Sequence, residues 1–195
     1  MTLAEDGVSW VIAPSVPVAG AVAIAKVSED AAATAVAVLG NDTDVEGALA
    51  VTAVTQPAHG VVTLVTGTVA YQPAADYAGP DSFTYTVTDS DGAIATATVT
   101  VAVAPVDDAP IAQAGVASVP ETVVTTITLV GSDVDLPAQT LTFAIGTAPA
   151  HGGLGPITPV TATTATVSYT PTADYVGPDA FTFTVSDGAS TSAPA

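Results

Sequence analysis

Acidic residues recur in the turn-forming stretches of this sequence, often one residue apart. Asp42 and Asp44 flank a threonine, and Asp89 and Asp91 flank a serine. Alternate residues of an extended chain point to the same side, so each pair can direct two carboxylates at one ion. Calcium takes about six to eight oxygen ligands in flexible geometry, so these stretches favour Ca2+ as a cofactor. The candidate ligands are Glu29, Asp30, Asp42, Asp44, Asp89, Asp91, Asp107, Asp108, Glu121, Asp133, Asp135 and Asp187.

The alternative interpretation is that each of these acids lies in a turn, faces solvent and binds no metal, because aspartate is common in such turns. The near absence of basic partners favours the metal interpretation, and we expect it to hold best in the first half of the chain. Asp107 and Asp108 stand between Pro105 and Pro110. Such a short, proline-stiffened linker could place its carboxylates over a site between two domains.

The charge of the chain excludes several classes of partner. One basic residue faces 19 acidic ones, for a formal net charge of -18. Nothing in this composition can neutralise phosphate, so we expect neither nucleic acid nor anionic lipid as a partner. An acidic, solvating surface without specific cation sites remains an alternative. Cysteine is absent, which excludes a disulfide scaffold and thiolate metal ligands.

Two histidines invite a catalytic or zinc-binding interpretation, and the residues around them favour a structural one. His59 and His151 each precede a glycine in a predicted tight turn, and neither has a second histidine in the same half of the chain. No Gly-x-Ser-x-Gly nucleophile motif is present. The acids fall at turns and not along an aromatic-lined cleft of the kind that glycoside hydrolysis would use. We therefore expect no enzyme activity.

An internal repeat organises the chain. Residues 56–60 return as residues 148–152, both ending in Pro-Ala-His-Gly, and residues 77–87 return as residues 175–185. The second copy is a few residues longer near residues 156–159, which predicts a longer loop between two strands. The predicted divisions are an N-terminal extension of residues 1–16, a first repeat of residues 17–106 and a second repeat of residues 107–195.

Period-two alternation of apolar residues predicts strands throughout and no helix. In the first repeat we predict strands over residues 22–27, 32–39, 49–55, 61–65, 69–72, 82–88 and 93–103. Seven short strands separated by turns predict an all-β fold of two tandem Greek-key β-sandwiches. The long closing strand of residues 93–103 has no counterpart in the second repeat. Tyr77 and Tyr175 are candidates for tyrosine-corner contacts or for core residues.

No stretch of 18 apolar residues is present, so we expect no membrane insertion. Residues 1–6 lack the basic start and apolar run of a signal peptide.

Five stretches together resemble the cadherin-like, immunoglobulin-like repeats of large secreted bacterial adhesins and surface proteins. They are residues 27–30, 38–44, 56–60, 77–87 and the linker 105–110. The resemblance implies a calcium-stiffened β-sandwich that serves as a spacer or stalk outside the cell. The second repeat departs from the pattern where Glu121-Thr122 replaces Glu29-Asp30.

These observations predict an extracellular or cell-surface structural protein, a subunit of a surface filament or an adhesin stalk. The alternative is a carbohydrate- or surface-binding module of a larger secreted protein, for which Trp10 would be the exposed aromatic. Aromatic residues are only 5% of the sequence, which favours the structural role.

A sandwich without its closing strand exposes an edge that can recruit another strand. Residues 8–13 form a candidate donor strand, with Val8, Trp10 and Ile12 on one face. Donated to the next copy, this strand would join subunits head to tail into a filament. The alternative is that the chain is a segment of a longer tandem array and that residues 1–16 are the tail of a preceding repeat.

Overall fold

A computed structural model describes residues 15–45, 47–135 and 139–195 of the chain. The chain forms two compact units, Met1–Pro105 and Val106–Ala195, which divide beside the predicted linker. The predicted donor strand of residues 8–13 lies outside the described residues. No helix in the described part of the chain is long and apolar enough to cross a membrane.

Repeat one is a sandwich of two sheets. The strands are β1 Val22–Ser28, β2 Thr34–Val36, β3 Ala50–Val54, β4 Gly60–Val65, β5 Thr68–Pro73, β6 Gly79–Thr88 and β7 Ile94–Ala104. The larger sheet has the order β1-β7-β6-β3 and the smaller one the order β2-β5-β4. Strands β1 and β7 run parallel, and the other neighbours pair antiparallel.

Apolar residues at alternate positions of β6 and β7 form much of the core of repeat one, as the sequence pattern predicts. Phe83, Tyr85 and Val87 are buried on β6, while the threonines between them are less buried. The strand predicted over residues 32–39 is wrong at its end, because β2 stops at Val36 and a 3₁₀ turn covers Val38–Asn41. Glycine and asparagine at the end of that stretch favour a turn over an extended strand.

Repeat two also forms two sheets, with seven strands among its described residues. They are β8 Ile111–Gln113, β9 Thr125–Ser132, β10 Thr142–Ile145, β11 Gly152–Leu154, β12 Thr158–Pro159, β13 Thr164–Pro171 and β14 Phe183–Ser186. One sheet has the order β11-β13-β9-β8, with the short β12 also pairing with β13, and the other consists of β10 and β14. The buried core contains Leu129, Leu141, Val167, Phe183 and Val185.

The longer connection predicted for repeat two is present between β11 and β13, and it contains a short strand that the sequence did not predict. Strand β12 pairs with residues 165–166 of β13, so the added residues lengthen a hairpin. The side chain of Ile157, between β11 and β12, packs against the core of the repeat. Burial of this isoleucine and the added backbone pairing hold the insertion on the sheet.

The closing strand of repeat two is partly represented. Ala195 and Phe183 exchange two backbone hydrogen bonds, and the amide of Ser192 donates to the carbonyl of Val185. Because Ala97 pairs with Tyr85 at the same place in repeat one, Ala195 occupies the position of Ala97. The residues of the closing strand that the sequence includes are therefore paired much as in repeat one, and for them the predicted lack of a closing strand is wrong.

Candidate cation site and the turns around it

Three carboxylates of repeat two lie close enough together to hold one cation. Asp107, Asp135 and Asp187 each offer an oxygen, and these oxygens all lie within 4.8 Å of one another. Asp107 precedes β8, Asp135 follows β9 and Asp187 follows β14. The group therefore joins three strand ends that are distant in sequence.

Backbone hydrogen bonds fix the position of Asp187. Its Oδ1 accepts from the amides of Ala189, at 2.6 Å, and Ser190, at 2.7 Å, and its Oδ2 accepts from the Ser190 hydroxyl at 2.8 Å. The Ser190 amide is the main cause that holds the pKa of Asp187 below its ordinary value, against a smaller opposing effect of desolvation. The carboxylate is therefore charged and oriented at neutral pH.

Asp135 is held by one hydrogen bond from the segment before β8 and by one within its own turn. Its Oδ2 accepts from the amide of Asp108 at 3.1 Å, and its amide donates to Oδ1 of Asp133 at 3.0 Å. The second oxygen of Asp133, Oδ2, is buried with no hydrogen-bond partner. Since a buried carboxylate oxygen without a partner is costly, this atom suits a neighbouring cation.

The equivalent acid of repeat one, Asp42, also has a buried Oδ2 without a hydrogen-bond partner, but its other oxygen is bonded differently. Oδ1 of Asp42 accepts from the hydroxyl of Tyr85 at 2.8 Å and from the amide of Gly20 at 2.7 Å. Repeat two has Phe183 at the position of Tyr85, so the corresponding hydroxyl is missing. The tyrosine therefore ties down Asp42 in a way that phenylalanine cannot reproduce for Asp133.

Other turn acids of the first repeat also accept hydrogen bonds, although the buried Oδ2 of Asp89 has no partner. Asp44 accepts from the Ser15 hydroxyl and from the Gly47 amide, both at 3.1 Å. Asp89 is buried, and its Oδ1 accepts from the amides of Asp91 and Ala93. Among the described residues, none of the groups of three close carboxylates lies wholly within repeat one.

A difference in sequence between the repeats explains why the group of three carboxylates lies in repeat two. Aligning Pro17 with Pro110 sets Pro14-Ser15 of repeat one against Asp107-Asp108 of repeat two. At this aligned position the acid pair is present only before the second repeat. This difference is the signal in the sequence that could have assigned the carboxylate group to repeat two. The expectation that repeat one carries the better site stays a prediction, although the group of three carboxylates described here lies in repeat two.

Three further candidate ligands differ in their surroundings within their own repeats. Glu29 is buried just after β1, and its amide donates to the carbonyl of Ala104. Asp30 accepts at Oδ1 from the amide of Asp76 at 3.2 Å. Glu121 is exposed and belongs to no carboxylate group among the described residues.

Sequence reasoning missed a carboxylate that organises the histidine turn. Asp81 is 8% exposed and accepts from the hydroxyl of Tyr71 at 2.9 Å. Its oxygens also accept from the amides of Ala58, His59 and Ser82. Burial and the contact with Asp81 raise the pKa of the Tyr71 phenol, so the tyrosine remains a donor. The repeated Gly-Pro-Asp sequence was the available signal.

The same arrangement recurs in repeat two around Asp179. This carboxylate accepts from the hydroxyl of Tyr169 at 2.8 Å and from the amides of Ala150, His151 and Ala180. The same four hydrogen bonds occur in both repeats. The aspartate therefore stabilises the turn that carries the histidine in each of them.

The histidine rings stack on tyrosines, and in the part of the chain that the structure describes neither ring belongs to a group of close metal-ligating side chains. The His59 ring lies 3.9 Å from that of Tyr77 and nearly parallel to it, and His151 stacks on Tyr175 at the same distance. Tyr77 donates its hydroxyl to the carbonyl of Pro80 at 2.7 Å, a local contact like that of a tyrosine corner. Ring stacking and a local hydrogen bond are contacts that stabilise a turn, which agrees with the structural interpretation of the two histidines.

We expect repeat two to lose stability at acid pH through Asp179 and Asp187. Partial burial raises the pKa of Asp179, but its bonds from Tyr169 and three amides outweigh that effect and leave the pKa below its ordinary value. A depressed folded-state pKa contributes stability above the unfolded value, near pH 4, which is lost as pH falls further.

Urea unfolding between pH 6 and pH 2 measures this dependence. Asp179→Asn should show a shallower loss of stability than the parent below about pH 4. Asp174→Asn, an exposed acid in the same repeat, is the control and should follow the parent. Superimposable curves for all three proteins would contradict the assignment.

Comparison with known proteins agrees with the fold. Residues 14–102 and residues 107–195 each match the bacterial Ig domain family. A search of curated protein sequences finds no match. Extracellular cadherin domains 1–4 of protocadherin gamma B7 share the fold, with a TM-score of 0.50 and 14% identity over 88% of this chain and 46% of that chain.

Two other solved structures are similar at lower scores. Cadherin domains 3–6 of protocadherin gamma B2 give a TM-score of 0.43 at 15% identity, covering 91% of this chain and 50% of that one. An endo-fucoidan hydrolase of glycoside hydrolase family 107 gives 0.37 at 20% identity, covering 92% and 28%. The chain thus spans half or less of the length of these three proteins. Because two family matches account for most of the sequence, the chain belongs to the bacterial Ig domain family and carries its domain in two tandem copies.

Proposed function

We propose that the chain is a calcium-stiffened structural module of a surface filament or adhesin stalk. Bacterial Ig domains are typically extracellular or surface-exposed. The observation that carries the proposal is the group of Asp107, Asp135 and Asp187, which lies on the segments before β8, after β9 and after β14. A cation held there would fasten three strand ends of one sandwich.

The chemistry of these residues fits Ca2+. Every donor in the group is a carboxylate oxygen, the hard ligand that calcium prefers, and softer ligands are absent from it. The partnerless Oδ2 of Asp133 lies on the same turn as Asp135. A bound cation would supply positive charge that offsets repulsion among these acids in a chain of net charge -18.

The strand topology of repeat one supports a spacer role. Its first strand, β1, runs parallel to its last strand, β7, and both end beside each other at Ser28 and Ala104. The chain therefore enters this sandwich toward one end of the sheet and leaves it at the other. Domains with that topology can be joined in line into an array.

The surface supports the structural role over carbohydrate recognition. Carbohydrate sites present exposed aromatic platforms, whereas every aromatic side chain in the described part of the chain is buried or half-buried. The proposal also includes head-to-tail joining of copies by strand exchange, with no catalytic role.

Calcium should raise the melting temperature of the protein. A ligand that binds only the folded state stabilises it by about 3 kcal/mol at about 100 times its dissociation constant. Asp135→Asn removes one charge from the group and should reduce the shift between calcium and chelator. Asp174→Asn, which lies outside the group, should retain it.

Differential scanning calorimetry in calcium, magnesium and chelator is the measurement. Equal midpoints for the parent in calcium and in chelator would overturn the calcium proposal. An equal shift in the parent and in Asp135→Asn would move the site away from this group.

A further inference from the structure

Strand β4 lies at an edge of its sheet. It pairs with β5 on one side, and in the part of the chain that the structure describes no strand pairs with its other side. In an antiparallel pair, alternate residues direct their backbone N–H and C=O groups to the partner strand, and the residues between them direct theirs away. Gly60, Val62 and Leu64 form the set that points away from β5, as the hydrogen bonds of Val62 show. We name this row of backbone groups the β4 edge.

A side chain occupies the middle of the β4 edge. Nε2 of Gln56 donates to the carbonyl of Val62 at 2.8 Å, and the amide of Val62 donates to Oε1 of Gln56 at 3.0 Å. A primary amide carries the same donor and acceptor as a peptide group. Two facing residues of neighbouring antiparallel strands exchange the same two hydrogen bonds. Gln56 therefore stands where the backbone of a further strand would lie.

The rest of β4 lacks the features that usually protect an edge strand. Natural edges are commonly protected by charge, proline, a bulge or a very short strand. Strand β4 spans six residues, Gly60–Val65, without a charged residue or a proline, and its register with β5 is continuous. Val61 and Val65 are more than half exposed on its outward face. A regular, uncharged edge of this kind is suited to accept a strand from another molecule.

Repeat two protects the equivalent edge by a different device. Ala148 stands at the position of Gln56, so the side-chain amide is missing there. The edge strand, β11, has only three residues, and Pro156 follows at the position of Leu64. Proline has no N–H to offer to an added strand. The glutamine is thus present in the repeat whose edge strand is longer and contains no proline.

We propose that Gln56 blocks strand addition at the β4 edge by a second copy of the chain. Without the Gln56 amide, the β4 edges of two copies can pair antiparallel about Val62. In that register Val62 faces Val62 of the second copy and Gly60 faces Leu64, and each facing pair exchanges two hydrogen bonds. The β4 edge is therefore complementary to itself, as a two-fold dimer requires. This role goes beyond that of a stalk module and does not depend on calcium.

The distribution of charge favours a second copy as the partner at this edge. The chain has a net charge of -18, so two copies repel each other in most arrangements. Residues 60–68, which include β4 and its turn, contain no acidic residue. Pairing at the β4 edge brings this uncharged stretch of the two copies together. We expect the dimer to strengthen with added salt, which screens the remaining repulsion.

Gln56→Ala is the test, and Gln72→Ala is its matched control. Gln72 belongs to the neighbouring strand β5 and is exposed. Sedimentation velocity of the full chain should be recorded over a wide range of concentration. Gln56→Ala should form a species of twice the monomer mass at concentrations where the parent does not. Gln72→Ala should behave as the parent does.

Amide hydrogen exchange shows whether the β4 edge is the contact. At low concentration, the Val62 amide of Gln56→Ala should exchange about tenfold faster than that of the parent, because its acceptor is gone. At high concentration, the Val62 and Leu64 amides of the variant should both become protected, Leu64 beyond its level in the parent. A merely unfolded repeat one would instead lose protection in its buried strands at every concentration.

Two further substitutions test the register and the hydrogen bonds. Thr63 is exposed on β4, and in the proposed dimer the two copies of this residue are diagonal neighbours on one face. Adding Thr63→Glu to Gln56→Ala should therefore restore the monomer, whereas Thr63→Glu alone should behave as the parent does. Gln56→Leu keeps the bulk of the side chain but neither hydrogen bond, and it should associate as Gln56→Ala does.

Three results would overturn the proposal. They are association of Gln56→Ala and Gln56→Leu no stronger than that of the parent, equal association of Gln72→Ala, and a dimer that Thr63→Glu does not dissociate. Gln56 lies outside the group of Asp107, Asp135 and Asp187, so melting of the parent in calcium and in chelator tests the calcium proposal separately. Failure of one proposal is thus distinguishable from failure of the other.

Discussion

Replacing Asp81 with alanine should lower the free energy of unfolding of repeat one by about 3 to 5 kcal/mol. The substitution removes an acceptor that serves the Tyr71 hydroxyl and the amides of Ala58, His59 and Ser82. Tyr71 is fully buried, so its hydroxyl would lose this acceptor away from solvent. Hydrogen bonds to charged groups contribute more than neutral ones, and donors left unsatisfied add a desolvation cost.

The matched control is Asp179→Ala in repeat two. It removes the equivalent four hydrogen bonds from a half-buried site, where water can replace the lost acceptor. The loss should therefore be smaller than that in repeat one. Urea unfolding followed by circular dichroism, with amide exchange to assign the affected repeat, measures both. Equal losses would show that burial does not determine the contribution of this aspartate.

Val99→Asp should destabilise repeat one by about 4 kcal/mol or more, enough to unfold a marginal domain. Val99 is 0% exposed, and its neighbour across the strands is Phe83 on β6. A carboxylate at this position would be desolvated among apolar side chains with no basic partner, in a chain with a single Lys or Arg.

Thr98→Asp is the control for this prediction, because it makes the same charge change one residue earlier on the exposed face of β7. Its cost should remain about 1 kcal/mol or less. Urea unfolding curves for the two variants give the comparison. If Val99→Asp unfolded at the same urea concentration as Thr98→Asp, β7 would not be part of the core that holds repeat one together.

The alternation of apolar residues was sufficient to predict the sandwiches. Strand β6 is the clearest case, because Phe83, Tyr85 and Val87 bury alternate positions as the period-two pattern requires. The local sequence pattern did not predict a strand where the strand depends on pairing with a distant part of the chain. Strand β12 forms because the hairpin of repeat two extends along β13, and nothing within residues 158–159 shows that partner.

The candidate cation site was harder to predict because it depends on three distant strand ends. Sequence reasoning selected Asp107, Asp135 and Asp187 among twelve candidates, but it could not show that these three converge. Nor could it show that Asp42 is tied to Tyr85, which lies 43 positions away in the chain. Convergence is a property of the topology, whereas the sequence supplies only the residue types.

The parallel pairing of β1 with β7 has a mechanical consequence for repeat one. If tension acts on its two chain ends, β1 is drawn back past β7 along their common axis. The backbone hydrogen bonds that join them, from Val22 to Ser28, are then sheared as a set and not peeled apart singly. Repeat two has no equivalent parallel pair among its described residues, since its first strand, β8, pairs antiparallel with β9. Repeat one should therefore resist tension that is applied through its own two chain ends.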